Sequence, residues 1–253
     1  MAAAKTSAKT GKATPKSSGG NRIYAEADKL IDPPVTRERI EEAVSLLEDR
    51  LDDDPADAGC RWRIARAFIR LLEAETGTVL EEKREYYPIL DECGKRALAE
   101  AERAHEQSPR DPDCVGWHMV SYGYYSVSIG IVRAVLQGAA GKYLALADEL
   151  NALDERWLAA AGWRAMGRFY REAPWPKRDL SRSVECFTRA VELGPKRQEN
   201  KLHLALALAD DGEEDEAIGL LEQVAKGKPE PAEAHIHRAL VAYARQKLGQ
   251  LGG

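Results

Sequence analysis

Apolar side chains recur every three or four residues along nearly the whole chain from Asn21 onward, and no stretch shows the strict alternation of a half-buried strand. That pattern predicts an all-α molecule whose helices each bury one face. Short polar breaks divide it. Asp32-Pro33-Pro34 interrupts the first segment, and Thr36 then opens a helix that carries Ala43, Val44, Leu47 and Leu51 and stops at Asp52-Asp53-Asp54-Pro55. Small or apolar triplets precede three later prolines: Ala97, Ala101 and Ala104 before Pro109; Ser183, Phe187 and Ala190 before Pro195; Ala217, Leu221 and Val224 before Pro229. The residue ahead of a proline is pushed out of the helical region, so each proline marks where a helix has ended.

Pro195 and Pro229 lie 34 residues apart. In the helix expected before Pro195's own, Trp163, Met166, Gly167 and Tyr170 fall within one apolar arc, and the glycine leaves room for a neighbouring helix to come close. Lys201, Leu204, Ala205 and Leu208 occupy the equivalent positions one unit later, and Trp62, Ala65 and Ile69 match in part near the start. A helix–turn–helix unit of this period resembles the tetratricopeptide repeat. The resemblance implies a solenoid of helix pairs with a shared core and a concave face for partners.

The copies are uneven. Pro55 and Pro109 are 54 residues apart, so the region 77–87 is expected to lengthen a helix or loop out, while Ala173-Pro174-Trp175-Pro176 is an insert between paired helices. Segment 113–157 should hold another pair, with Trp117, Val120 and Tyr124 on its first helix and Tyr143, Leu146, Ala147 and Leu150 on its second. The expectation is about four pairs and a capping helix over 232–248, with His237, Arg238, Arg245 and Lys247 on its outer face. Residues 1–20 should form a disordered basic tail, 21–248 the repeat domain, and 249–253 a flexible end after a glycine helix stop.

The run from Leu153-Asp154 through AGWRAMGRFY, AP, DLSRSVECFTRAVELGP and ENKLHLALALADDGEEDEAIGLLEQV resembles the tetratricopeptide T-component proteins of TRAP-type transporters. It is similar also to the helical-repeat domain of the regulator-of-microtubule-dynamics family. The first resemblance implies a solute-handling accessory, the second a cytoskeleton-associated factor. Transporter T-components are periplasmic and often lipid-anchored. This chain shows no signal-peptide pattern and no cysteine near Met1, so a cytoplasmic protein using the same scaffold for another partner is expected.

Charge and composition narrow the choice. The chain has 253 residues and a net charge of −5, which argues against general phosphate neutralisation, and nucleic-acid binding is not expected. No apolar run reaches the ~18 residues of a membrane span. Cys60, Cys93, Cys114 and Cys186 form no C-x-x-C pair and read as free thiols packed in helices.

Candidate chemistry is sparse. His235 and His237 point about 200° apart on a helix, Cys114 and His118 lack further ligands, and no nucleophile triad, phosphate loop or dinucleotide fingerprint occurs. Neither catalysis nor a metal or cofactor is expected. Arginines carry more information: Arg164, Arg168 and Arg171 share one helix face, and Arg63, Arg66 and Arg70 share another. By repeat phase these faces and His203 line the groove, where guanidinium forks could grip an acidic or C-terminal peptide, loosely resembling the carboxylate clamp of peptide-binding tetratricopeptide domains. The alternative is that each arginine pairs with an acidic neighbour on an adjacent helix. Trp117, Tyr122, Tyr124 and Tyr125 crowd one helix too densely for a single core stripe, so some should line a groove, a cavity or an oligomer contact.

Overall fold

The structure, a computed structural model, describes residues 18–80, 83–130 and 138–252. Eleven α-helices are described: α1 (Ser18–Ile31), α2 (Arg37–Asp53), α3 (Ala58–Thr76), α4 (Tyr87–Gln107), α5 (Pro112–Ser128), α6 (Ala139–Asp154), α7 (Ala161–Glu172), α8 (Leu180–Leu193), α9 (Gln198–Asp211), α10 (Glu214–Lys226) and α11 (His237–Leu251). Each packs on the next in sequence, and every odd-numbered helix also touches the odd-numbered helix that follows. The odd helices therefore form one layer and the even helices the other. This is an all-α tetratricopeptide-like solenoid of five pairs closed by α11. The fifth pair, beyond the four expected, is α1 with α2.

Helix starts follow local rules. Thr36, Asp57, Asp111 and Asp179 each accept a backbone N–H from the first turn of their helix. Gly212 sits at a left-handed φ of 95° to end α9. The additional residues between Pro55 and Pro109 are absorbed by long helices of 19 and 21 residues, joined through the 3-10 turns Gly77–Val79 and Arg84–Tyr86. Helix α11 continues past Gly249 to Leu251, since one glycine in a packed helix costs only about 1 kcal/mol relative to alanine. The expected tail before Ser18 and residues 131–137 of the pair expected over 113–157 lie outside the described residues.

Many of the repeat positions lie in the core. Phe187, Ala190, Ala205, Ala217 and Leu221 are buried, as are the arc residues Met166 and Tyr170. A Cβ on Gly167 would meet the Phe187 ring at 2.8 Å, so this glycine is what lets α8 seat against α7. The Ser183 hydroxyl donates to the Gly167 carbonyl at 2.9 Å across the same contact. One continuous core runs from Ala27 to Cys186, and smaller clusters serve α8 to α11.

The solenoid curls until its end meets its beginning. Helix α11 touches the turn after α3, and a Cβ on Gly77, whose φ is +64°, would lie 2.5 Å from the Ala239 Cβ. Leu80 packs into the apolar cluster of α9, α10 and α11. Closure on this side makes the odd-numbered layer the concave one.

Candidate functional site

A buried ionic network occupies the place where the curl closes. Arg70 Nη1, Glu73 Oε2 and His235 Nε2 form a triangle with sides of 2.8 to 2.9 Å, and the Tyr124 hydroxyl donates to the other Glu73 oxygen at 3.1 Å. Beyond it, Arg164 lies 3.3 Å from Glu199 and donates to the Asn200 side-chain oxygen at 2.8 Å. Arg197 donates to Glu199 at 2.7 Å and lies 3.3 Å from Glu233. Three guanidiniums thus face three carboxylates, a balance that buried charge requires.

Glu233 has a second task. At Pro55 and Pro109 the proline is followed two residues later by the aspartate that caps the next helix, but after Pro195 that position holds Arg197. The first turn of α9 is capped instead by fully buried Glu233, whose oxygens accept from Gln198 N at 3.0 Å and Glu199 N at 2.8 Å. The segment leading into α11 is thereby pinned to α9 by Glu233 and to α3 by His235.

Electrostatics follow from burial against pairing. Burial alone would raise the Glu73 carboxyl, but Arg70 and His235 outweigh it and hold it at about 2. Glu199 is likewise held well below the usual carboxylate range, because Arg164 and Arg197 overcome the desolvation. Both stay ionised at neutral pH.

The arginine triplets face the interior, and each member has a partner within the chain. Arg63 bonds Asp28 at 3.1 Å, Arg66 bonds Asp28 and Asp32, and Arg70 bonds Glu73. Arg164 is held as above, Arg168 pairs with Glu172 on its own helix at 3.3 Å, and Arg171 donates to Asp210 at 2.8 Å. Asn200, which accepts from Arg164, also donates to the Ala159 and Ala190 carbonyls. His203 does not face the groove. It is 1% exposed, stacks on Phe187 with ring centroids 5.4 Å apart, and is kept neutral by desolvation, its pKa falling well below the ordinary value. His235 was expected neither in the groove nor in a pair, yet its side chain is buried against Glu73.

Between α5, α6 and α7 the concave wall holds a cavity of about 160 Å³, partly open to solvent. Val120, Val127, Tyr143, Ala165 and Phe169 supply apolar lining, and Arg164, Arg168, Glu73 and Glu199 stand at its polar end. Of the crowded aromatics, Trp117 and Tyr124 are buried, whereas Tyr122 and Tyr125 are half-buried. Leu158, Ala159 and Ala160 beside the cavity have φ values of 45°, 54° and 67°, a left-handed stretch that costs roughly 1–2 kcal/mol per residue. It turns the Ala159 carbonyl onto both Arg164 and Asn200. No local sequence signal marks it, since none of the three is glycine.

All four cysteines are buried and free, and burial pushes the Cys60, Cys93 and Cys114 thiols up to about 12. Among the described residues no cluster of metal-binding side chains occurs and no helix is long and apolar enough to cross a membrane.

No protein-family model matches the sequence, and no curated protein matches it. Solved structures do. The chain is similar to a thermophilic tetratricopeptide protein of Thermus thermophilus, with a TM-score of 0.62 and 16% identity over 89% of this chain and 98% of that one. It is similar also to the PilF protein of Pseudomonas aeruginosa, with a TM-score of 0.55 and 16% identity over 92% and 93% of the two chains. Likeness at this identity establishes the repeat fold and goes no further; it does not reach the transporter T-components.

Proposed function

We propose that this chain, a tetratricopeptide-like solenoid, is a non-catalytic scaffold that holds an extended segment of a partner protein in its concave face and anchors it by one apolar side chain. The observation that carries this reading is the cavity between α5, α6 and α7. An apolar hole of ~150 Å³ holds one benzene-sized group, while drug-sized ligands occupy sites of ~300 Å³ or more. A volume of about 160 Å³ therefore suits a single leucine or phenylalanine side chain rather than a cofactor. The polar end beside it offers hydrogen-bonding groups for the partner's backbone.

An acidic partner is the weaker form of the reading. Each arginine of both triplets already has a carboxylate or amide partner, so an incoming acid would have to displace one. Selection by apolar anchor is favoured over selection by negative charge. The test is a library of N-acetylated hexapeptide amides screened against the wild-type chain and an Ala165→Phe variant, which fills the cavity. Capture of peptides with a leucine or phenylalanine anchor that disappears in the filled variant, with unchanged helicity, is the expected result. Equal capture by the filled variant sinks the proposal.

A further inference from the structure

The insert between α7 and α8 carries the most exposed large apolar side chain of the described residues. Trp175 is 89% exposed, whereas the other tryptophans, Trp62, Trp117, Trp157 and Trp163, are buried or half-buried. The helix pair does not need it, since α8 is capped by Asp179 and seated against Gly167. The turn that presents it is held at both ends. Lys177 N donates to the Pro174 carbonyl at 3.0 Å, Asp179 N to the Tyr170 carbonyl at 2.9 Å, and the Arg178 side chain to the Arg171 carbonyl at 3.2 Å. Pro174 and Pro176 restrict the backbone on either side of the indole. An aromatic side chain on an anchored turn loses little freedom when it docks.

A hole of matching kind lies beside this knob. Ala173, buried and two residues before Trp175, lines the cavity between α5, α6 and α7, together with Glu172. Two residues of chain span at most about 7 Å, so the backbone of Trp175 lies that close to the cavity wall. The volume of about 160 Å³ admits one benzene-sized group, which is the size of the six-membered end of an indole. Arg168 and Glu172, 3.3 Å apart, set opposite charges side by side in the cavity lining. A surface with knob and hole adjacent is complementary to itself. A two-fold axis between them sets each knob over the hole of the other copy, and each Arg168–Glu172 pair against its reversed counterpart. No second kind of chain need supply either half.

We propose that Trp175 docks in the α5–α6–α7 cavity of a second copy of this chain, the two copies exchanging tryptophans about a two-fold axis. The proposal rests on the reading that this cavity takes an apolar side chain. Two indoles bury roughly 300–500 Å², well short of the ~1,200 Å² of a stable interface, so the dimer is weak and forms only as concentration rises. A partner segment and the second copy's tryptophan then compete for one cavity, and self-association covers the site until a better anchor displaces the indole.

Sedimentation velocity of the full chain from about 5 to about 200 µM tests it, with Trp175→Ala and Ala165→Phe run beside wild type. Wild type should pass from monomer to dimer, and either substitution should weaken association about thirtyfold. Trp175→Ala keeps the hole and Ala165→Phe keeps the knob, so a mixture of the two should associate more tightly than either alone. Excess of a captured hexapeptide should dissolve the wild-type dimer. The proposal is overturned if wild type stays monomeric, if Trp175→Ala dimerises undiminished, or if a captured peptide leaves the dimer intact. Trp175 is exposed, so its loss should leave the circular dichroism spectrum unchanged; should Ala165→Phe fail to fold, displacement by peptide decides whether the cavity receives the indole. A monomer that captures peptides overturns the exchange and leaves the peptide reading standing. A dimer lost in Ala165→Phe, with no peptide captured, supports the exchange and removes the peptide reading.

Discussion

Helices α3 and α7 carry arginines in nearly the same register, yet the two triplets meet different neighbours. Arg63 and Arg66 reach back to Asp28 and Asp32, at the end of α1 and just beyond it, where both sides of each pair keep some exposure. Arg164 and Arg171 reach forward to α9, and Arg164 does so fully inside the molecule, against Glu199 and Asn200. Arg70 and Arg164, the last of one triplet and the first of the other, converge on the central network. Register on a helix thus fixes which face an arginine occupies, while the curl of the solenoid fixes whether that face meets water or carboxylate.

The sharpest way to break this comparison is to truncate one arginine on each helix. Arg164→Ala leaves Glu199 buried with only Arg197 beside it and should cost about 3–5 kcal/mol in a urea unfolding experiment. Arg63→Ala removes a partly exposed pair and should cost about 1 kcal/mol or less. Equal losses would mean that burial does not separate the two triplets.

Two glycines sharpen it at intermediate size. Gly167→Leu drives a side chain into the Phe187 ring and should lower stability by about 1–3 kcal/mol, read from the thermal or urea midpoint. Gly77→Ala combines a left-handed φ with a clash against Ala239, and about 1–2 kcal/mol should be lost. Its effect should fall on the closure, raising hydrogen exchange in α11 more than in α5 or α7.

A further expected effect is in pH. His118, buried between Lys142 and His105, has its pKa lowered from 6.5 to about 4, by desolvation first and then by Lys142, and His203 is lowered as well. The unfolded chain therefore takes up protons that the folded chain refuses, so stability is full above about 6.5 and declines as pH falls towards 4. Glu73 works in a lower window. Its depressed carboxyl stabilises the fold above the unfolded value near 4.5, and that contribution is lost as pH falls towards 2. His118→Gln should flatten the upper window and leave the lower one; a decline identical to wild type would assign the upper window to other groups.

Much of the architecture could be read from spacing. Prolines at helix ends, the Trp163-to-Tyr170 arc and Gly167 specify local geometry, and the helices form where those signals lie. The inward direction of Arg66, Arg70, Arg164 and Arg168 was likewise a matter of phase. What spacing could not supply was partners distant in sequence. Glu233 caps a helix that begins 35 residues earlier, and His235 meets a carboxylate 162 residues away. The replacement of a capping aspartate by Arg197 was the one local sign that the α9 cap comes from elsewhere. His203 was misplaced because a single step along a helix, about 100°, carries a side chain from the groove face to the face that packs on Phe187.

Peptide selection on the wild-type chain beside its Ala165→Phe variant bears most directly on the central claim, that the concave face reads an apolar anchor while its arginines serve the fold. The account predicts selected sequences that share a leucine or phenylalanine, carry no excess of acidic residues, and are lost when the cavity is filled. Acidic sequences without such an anchor, captured equally by both proteins and lost on Arg168→Ala with Arg171→Ala, would contradict it.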